Sequence, residues 1–439
     1  MEIFLIKALQ LILSLSILVV IHEFGHFLFA RIFNIKVEKF YLFFDPWFAL
    51  FRFKPKGSDT EYGMGWLPLG GYVKIAGMID ESMDKEQMAL PAQPWEFRAK
   101  PAWQRLLVMV GGVLFNLLLA FFIYSMVLFA WNDTYLPLRN VTQGMEYSQA
   151  ARNAGFQDGD ILLRADEKEL ERFGVRTLLD IADAEHVTVL RNGEEVELTI
   201  PEGLMQALLT DKEGFAAYRV PAVVFQTMEG SAAHTAGLQQ GDSITAVNGV
   251  TTPAFSDLRA ALDSHRNSEV TLNFYRNGIM QSSNIAVDSA GTLGFYAMAA
   301  PQIYRTETLH YGFFESFPAG IRMGIQTLKD YVAQFKYVFT KEGASSLGGF
   351  GAIGNLFPAQ WNWQAFWLMT AFLSVILAFM NILPIPALDG GHVMFLIYEV
   401  VTRRKPNEKF MEYAQIAGMV LLFGLVLYAN GMDLIRAIF

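Results

Sequence analysis

Leu11-Ile12-Leu13-Ser14-Leu15-Ser16-Ile17-Leu18-Val19-Val20-Ile21-His22-Glu23-Phe24-Gly25-His26-Phe27-Leu28-Phe29-Ala30 decides the fold, because a run apolar enough to cross a bilayer carries His-Glu-x-x-His inside it. Ionisable groups at membrane depth cost about 2.5 to 3.5 kcal/mol each on insertion scales, and they persist where they serve transport, proton transfer or catalysis. On a helix His22 and His26 project from one face and reach a single ion, with Glu23 beside them to handle a proton. These residues point to zinc-dependent hydrolysis inside a membrane.

The chain of 439 residues is 53% hydrophobic and 18% charged. It exceeds one ordinary domain, yet its apolar bias is too weak for spanning helices alone, so part of it is water-soluble. The absence of cysteine leaves His and carboxylates as the transition-metal ligands. A net charge of −9 argues against nucleic acid as a partner, which would require a concentrated basic face.

Working outward, residues 4–30, 106–131, 366–385 and 416–429 are candidate spans, the last being the shortest. The first run is too long for a signal-peptide core, and cleavage would discard its motif. Lys and Arg are concentrated from Arg31 to Arg105, Lys85 among them, and again at Arg403, Arg404, Lys405 and Lys409. These short regions should be cytoplasmic. Both chain ends, and the insert from Asn132 to near Trp363, then face the other side, which in a Gram-negative bacterium is the periplasm.

The insert reads as soluble α+β material with an internal repeat. Gly155-Phe156-Gln157-Asp158-Gly159-Asp160-Ile161-Leu162 recurs a domain length later as Gly237-Leu238-Gln239-Gln240-Gly241-Asp242-Ser243-Ile244, a period that suggests tandem domains. The second copy continues through the turn Asn248-Gly249, a helix over 256–262 and an alternating strand over 270–274. This copy resembles a PDZ domain, a fold that commonly takes an extended peptide end as an added strand. The first copy resembles it less, with Arg164-Ala165-Asp166-Glu167 in place of the strand and Asn-Gly turn. The domains are set at 132–220 and 221–305. In the linker 306–362, apolar residues from Phe314 to Phe339 recur at three- and four-residue steps, with Arg322, Lys329 and Lys336 among them. That pattern suits a helix on a membrane surface or one packed on the PDZ pair.

A zinc hydrolase needs a third protein ligand and leaves one position for water. Asn381-Ile382-Leu383-Pro384-Ile385-Pro386-Ala387-Leu388-Asp389-Gly390-Gly391-His392 breaks regular helix at membrane depth, which is tolerated where backbone is buried in protein or faces a watery cavity. Asp389 and His392 are both chemically possible ligands. Residues 63–75 make a poor helix and read as a β-hairpin, or else as an ordinary cytoplasmic turn. A helical substrate presents no free carbonyl and must be unwound. Its backbone can then pair with the hairpin edge at Gly70, Gly71, Tyr72 and Val73.

The embedded His-Glu-x-x-His and the distal Leu388-Asp389-Gly390 together resemble the site-2 protease family of intramembrane metalloproteases. The likeness extends over nearly the whole chain to bacterial members with two PDZ domains between spans two and three. The resemblance implies Zn2+ held by His22, His26 and Asp389, Glu23 as general base, and Asn381 holding substrate or stabilising the oxyanion, with His392 not a ligand. It also implies a hairpin that dips into the membrane. Expected partners are the lipid bilayer and single-pass membrane proteins already trimmed outside it, such as an anti-sigma factor, or leftover signal peptides. The expected location is the bacterial inner membrane, with periplasmic PDZ domains and the active site toward the cytoplasm. Two segments depart from the family pattern: Gly112-Val113-Leu114-Phe115-Asn116 lacks the proline of Gly-Pro-x-x-Asn, and Leu347-Gly348-Gly349-Phe350-Gly351 replaces Ser-Gly-Pro.

The expected fold is therefore a polytopic α-helical membrane protein with four spanning helices, divided into membrane regions 1–131 and 363–439. Two tandem α+β PDZ-like domains lie between spans two and three, and a small membrane-associated β-hairpin follows span one. Other classes remain open: a PDZ-based scaffold would carry a structural zinc closed by four protein ligands, and a zinc transporter would carry polar residues along several spans.

Overall fold

The computed structural model describes residues 2–78, 90–211 and 214–438; Lys85 lies outside them. The chain divides into a helical unit, Met1–Asn132, His310–Lys336 and Ala344–Phe439, and a β-rich unit, Asp133–Leu309 with Tyr337–Gly343.

In chain order the helical unit contains α1 (Glu2–Ile32), β1 (Val37–Phe53), β2 (Glu61–Ile75), α2 (Ala102–Trp131), α3 (Phe313–Phe335), α4 (Phe350–Asn355), α5 (Trp363–Ile382), α6 (Asp389–Thr402) and α7 (Glu408–Ile438). Among the described residues α1, α2, α5 and α7 are long and apolar enough to cross a membrane. The fourth is much longer than its apolar centre suggests, at 31 residues. The third stops at Ile382, short of the expected residue 385, because Leu383 precedes Pro384 and is pushed out of helical conformation.

Lipid gives no hydrophobic drive between helices, so close approach depends on small residues. A Cβ on Gly25 of α1 would lie 2.3 Å from the Gly111 carbonyl oxygen of α2, and one on Gly111 would lie 2.6 Å from that of Gly25. The two backbones therefore touch. The helix α3 uses the same device, with Gly320 against Ser125 and Gly324 against the Phe121 ring. Its apolar line, Phe314, Ile321, Ile325 and Val332, is exposed instead. The sequence suggested a helix on the membrane surface or on the PDZ pair; in the structure α3 packs along a spanning helix with its small face inward.

The strands also differ from expectation. Residues 63–75 do not pair with one another; β1 and β2 pair antiparallel, and residues 39–42 lie between 61–64 on one side and 71–74 on the other. The chain turns back where the register passes from Phe44↔Leu67 to Ala49↔Gly65. Gly65 is required there, since a Cβ would meet the Phe44 oxygen at 2.0 Å. Residues 71–75 form an outer edge.

In the β-rich unit the sequence repeat becomes two modules of like build. Arg191 forms a bidentate pair with Asp160 and donates to the Gly155 oxygen; Arg276 does the same for Asp242 and Gly237. Both aspartates are buried. Ser148 and Ser231 cap the matching short helices. The first copy does form the strand and turn its sequence seemed to lack: Ile161–Ala165 is a strand, and Asp166 takes the left-handed conformation that Asn248 takes in the second copy. An Asp tolerates that geometry much as Asn does. Asp133–Tyr135 pairs with Glu307–Leu309, so the two ends of the unit lie side by side.

Candidate metal centre

Helix α1 delivers His22 and His26 from one face, both buried. A bend of chain delivers Asp389. Between α5 and α6, Pro384 and Pro386 prevent helix, Ala387 sits at φ 82°, and its N–H is satisfied by Gln415 of α7 at 3.2 Å. Glycine is needed on both sides of this bend, because a Cβ on Gly390 would lie 2.0 Å from the Leu383 oxygen and one on Gly418 1.8 Å from the Pro386 oxygen. Asp389 thereby begins α6 facing α1.

The three ligand atoms form a nearly equilateral triangle. His22 Nε2 lies 3.2 Å from His26 Nε2, and Asp389 Oδ2 lies 3.1 Å from the first and 3.3 Å from the second. A tetrahedral zinc with arms of about 2.0 Å has edges of about 3.3 Å, so the triangle fits one face of its coordination shell. Apart from the two imidazoles, the buried Asp389 Oδ2 has no hydrogen-bond partner among the described residues. Nitrogen and carboxylate donors, a shared focus and an otherwise orphaned oxygen fit a cation better than an ordinary polar contact.

Both rings are oriented from behind. His26 Nδ1 donates to the Val108 oxygen at 2.8 Å, which leaves the Nε2 lone pair for the metal. The Asn116 amide lies 3.0 Å from His22 Nδ1, and its Oδ1 is buried without a partner. With the amide turned by half a rotation, that oxygen accepts the Nδ1 proton. Ser374 fixes the Asn116 backbone by donating to its oxygen at 2.7 Å. The altered segment Gly112–Asn116 of the sequence thus lines the site. Sequence reasoning quoted Asn116 but gave it no role; a buried amide in the middle of an apolar helix was the available signal.

A cavity of about 740 Å³ opens onto the triangle, with Glu23, Gly71, Tyr72 and Val73 on its wall. Glu23 and Val73 share that wall, so α1 and the outer strand edge meet at the site. Gly70 belongs to the same strand but is not on the wall. Asn381 is near, with Nδ2 3.5 Å from His22 Nε2. His392 lines the cavity one turn beyond Asp389, outside the group of three ligand atoms.

A family model described as peptidase family M50 matches residues 10–425. The chain is 30% identical to a putative zinc metalloprotease of Vibrio cholerae, with 97% of each chain covered. It is 26% identical to metalloprotease MmpA of Caulobacter vibrioides, over 99% of this chain and 96% of that one. A putative zinc metalloprotease of Treponema pallidum is 27% identical over 95% of this chain and 96% of its own.

Proposed function

The chain belongs to peptidase family M50 and is a membrane zinc metalloprotease, and from that premise we propose that it hydrolyses peptide bonds within or near the spanning segment of single-pass membrane proteins. The observation that carries this reading is, among the described residues, a triangle of three ligand atoms, not four, opening onto a cavity whose wall includes a strand edge. A structural zinc would be closed by a fourth protein ligand.

In this reading His22, His26 and Asp389 hold the zinc. When bound, the metal acts as a Lewis acid and lowers the pKa of a coordinated water to about 7. Glu23 takes a proton from the attacking water and returns it to the leaving amine. Asn381 steadies the substrate carbonyl. Gly70, Gly71, Tyr72 and Val73 bind the unwound substrate as an added strand. The two α+β modules act as PDZ-like domains on the periplasmic side of a bacterial inner membrane. Substrates of the anti-sigma-factor kind, trimmed outside the membrane, and signal-peptide remnants suit such a site.

The test compares purified wild type with Glu23→Gln and Asp389→Ala for zinc content and for cleavage of a model single-span substrate. Glu23→Gln is expected to keep zinc and lose cleavage, and Asp389→Ala to lose both. Wild-type cleavage by Glu23→Gln would end the mechanism, and full zinc occupancy after Asp389→Ala would move the third ligand to His392.

A further inference from the structure

We propose that Asp45 is a specificity-determining residue: it forms an acidic subsite on the wall of the catalytic cavity and takes a Lys or Arg flanking the substrate's apolar segment. The proposal rests on the protease reading and adds to it a chemical requirement on the substrate.

Asp45 sits where β1 leaves the sheet. Because the register passes from Phe44↔Leu67 to Ala49↔Gly65, residues 45–48 form an excursion without ladder partners. Left-handed aromatic residues lie just before it and within it, Phe43 at φ 66° and Trp47 at φ 73°, a conformation that bulky side chains rarely adopt and that persists where surrounding structure enforces it. Here the enforcement is visible. Trp66 Nε1 donates to the Pro46 oxygen at 2.9 Å, and the Trp66 ring stacks on both Trp47 and Phe48. The excursion is fixed, and it brings Asp45 to the same cavity wall as Glu23, His22 and Asp389.

The carboxylate there is incompletely satisfied. The Tyr72 hydroxyl donates to Asp45 Oδ1 at 2.9 Å, and the Tyr72 ring is stacked with Tyr41 and Phe44. Among the described residues no Lys, Arg or His pairs with Asp45. Lys74, also on the wall, pairs with Glu38 at 3.4 Å. A carboxylate with one neutral donor among aromatic rings calls for a cation. Single-pass membrane proteins supply one: the charge rule that places this chain's basic segment 31–105 on one side places a substrate's flanking Lys and Arg on that side too. Tyr72 ties the subsite to the edge strand that would carry the unwound backbone. A flanking cation bound at Asp45 would therefore set which peptide bond reaches the metal.

The test uses full-length, zinc-loaded Glu23→Gln protein in neutral-lipid nanodiscs and fluorescent single-span peptides that differ only in a flanking Arg, Gln or Glu. The Arg peptide is expected to bind about tenfold more tightly than the Gln peptide. Adding Asp45→Asn should equalise the two, and Asp45→Arg should reverse the order in favour of Glu. A reversal cannot come from simple loss of structure. Equal binding of all three peptides with Asp45 intact overturns the proposal, as does an Arg preference that survives Asp45→Asn. Cleavage of the same peptides by wild type separates the two readings. An Asp45-dependent preference in binding without any cleavage keeps the subsite and removes the protease, whereas cleavage of all three at one rate keeps the protease and removes the subsite.

Discussion

Gly112 on the second spanning helix faces His26 so closely that a Cβ there would lie 2.5 Å from Nε2, the nitrogen pointing at the metal position. The same Cβ would lie 2.6 Å from His22 Cε1, so a single methyl group would displace both rings. Gly112→Ala is expected to lower zinc affinity by about tenfold or more, since overpacking of this kind costs about 1 to 3 kcal/mol. Zinc content after graded chelation measures it. Unchanged retention of zinc would mean that the rings have room the structure does not give them.

Asn116→Ala should act on the same ligand from behind. Removing the amide leaves the His22 Nδ1 proton buried without an acceptor and frees the ring to turn, and partners of this kind are worth roughly 10- to 100-fold in metal affinity or activity. The loss should appear in zinc affinity with the helical content unchanged by circular dichroism. Asn116→Asp, which keeps an acceptor, should recover most of it.

The difference between what the sequence disclosed and what it concealed follows from which contacts are local. His22 and His26 were legible because their spacing on one helix already fixes a shared face. Asp389 was not separable from His392 by chemistry alone; the distinction comes from the bend at Pro384 to Leu388, which aims the first residue of α6 at α1 while His392 points one turn further along. Asn116 escaped because its partner lies on another helix, and helix pairing leaves no periodic trace. β1 escaped as well: Asp45-Pro46 interrupts its alternation, and its ladder partners lie on both sides of a chain that doubles back. In α7 the polar Gln415 and Asp433 shortened the apparent span, yet each has a backbone partner, Ala387 for the first and Gly349 and Ala352 for the second.

Val73→Pro separates strand chemistry from metal chemistry. It removes a backbone N–H on the cavity wall that Glu23 shares and blocks an added strand at that point, because proline cannot donate to a ladder. The variant should bind zinc as wild type does while cleaving a single-span substrate about tenfold more slowly, the scale of one lost backbone hydrogen bond to the substrate. Tyr72→Pro is the harsher change, since it also removes the ring stacked on Tyr41 and Phe44 and the hydroxyl that donates to Asp45. Unchanged turnover in both variants would mean that another element presents the substrate.

The last prediction concerns the β-rich unit. Its ends are held together by the ladder Asp133–Tyr135 with Glu307–Leu309 and by the hydroxyl contact of Thr134 with Thr308 at 2.9 Å. Removing residues Leu138 to Ala299 therefore leaves two strand ends already side by side, which a short linker can join without disturbing the helices they lead to. If the unit works as a size filter, the shortened protein will cleave a substrate that keeps a bulky outer domain, which wild type rejects, while both forms cleave the trimmed substrate. If instead a groove in the second module must capture a new peptide end, the shortened protein will cleave neither. The two modules share the buried Asp–Arg pair and the left-handed positions of the turns around it, whereas a steric barrier requires no particular groove chemistry in either. The smaller chemical demand favours the filter. Rejection of the intact substrate by the shortened, zinc-loaded protein, alongside normal cleavage of the trimmed one, would exclude it.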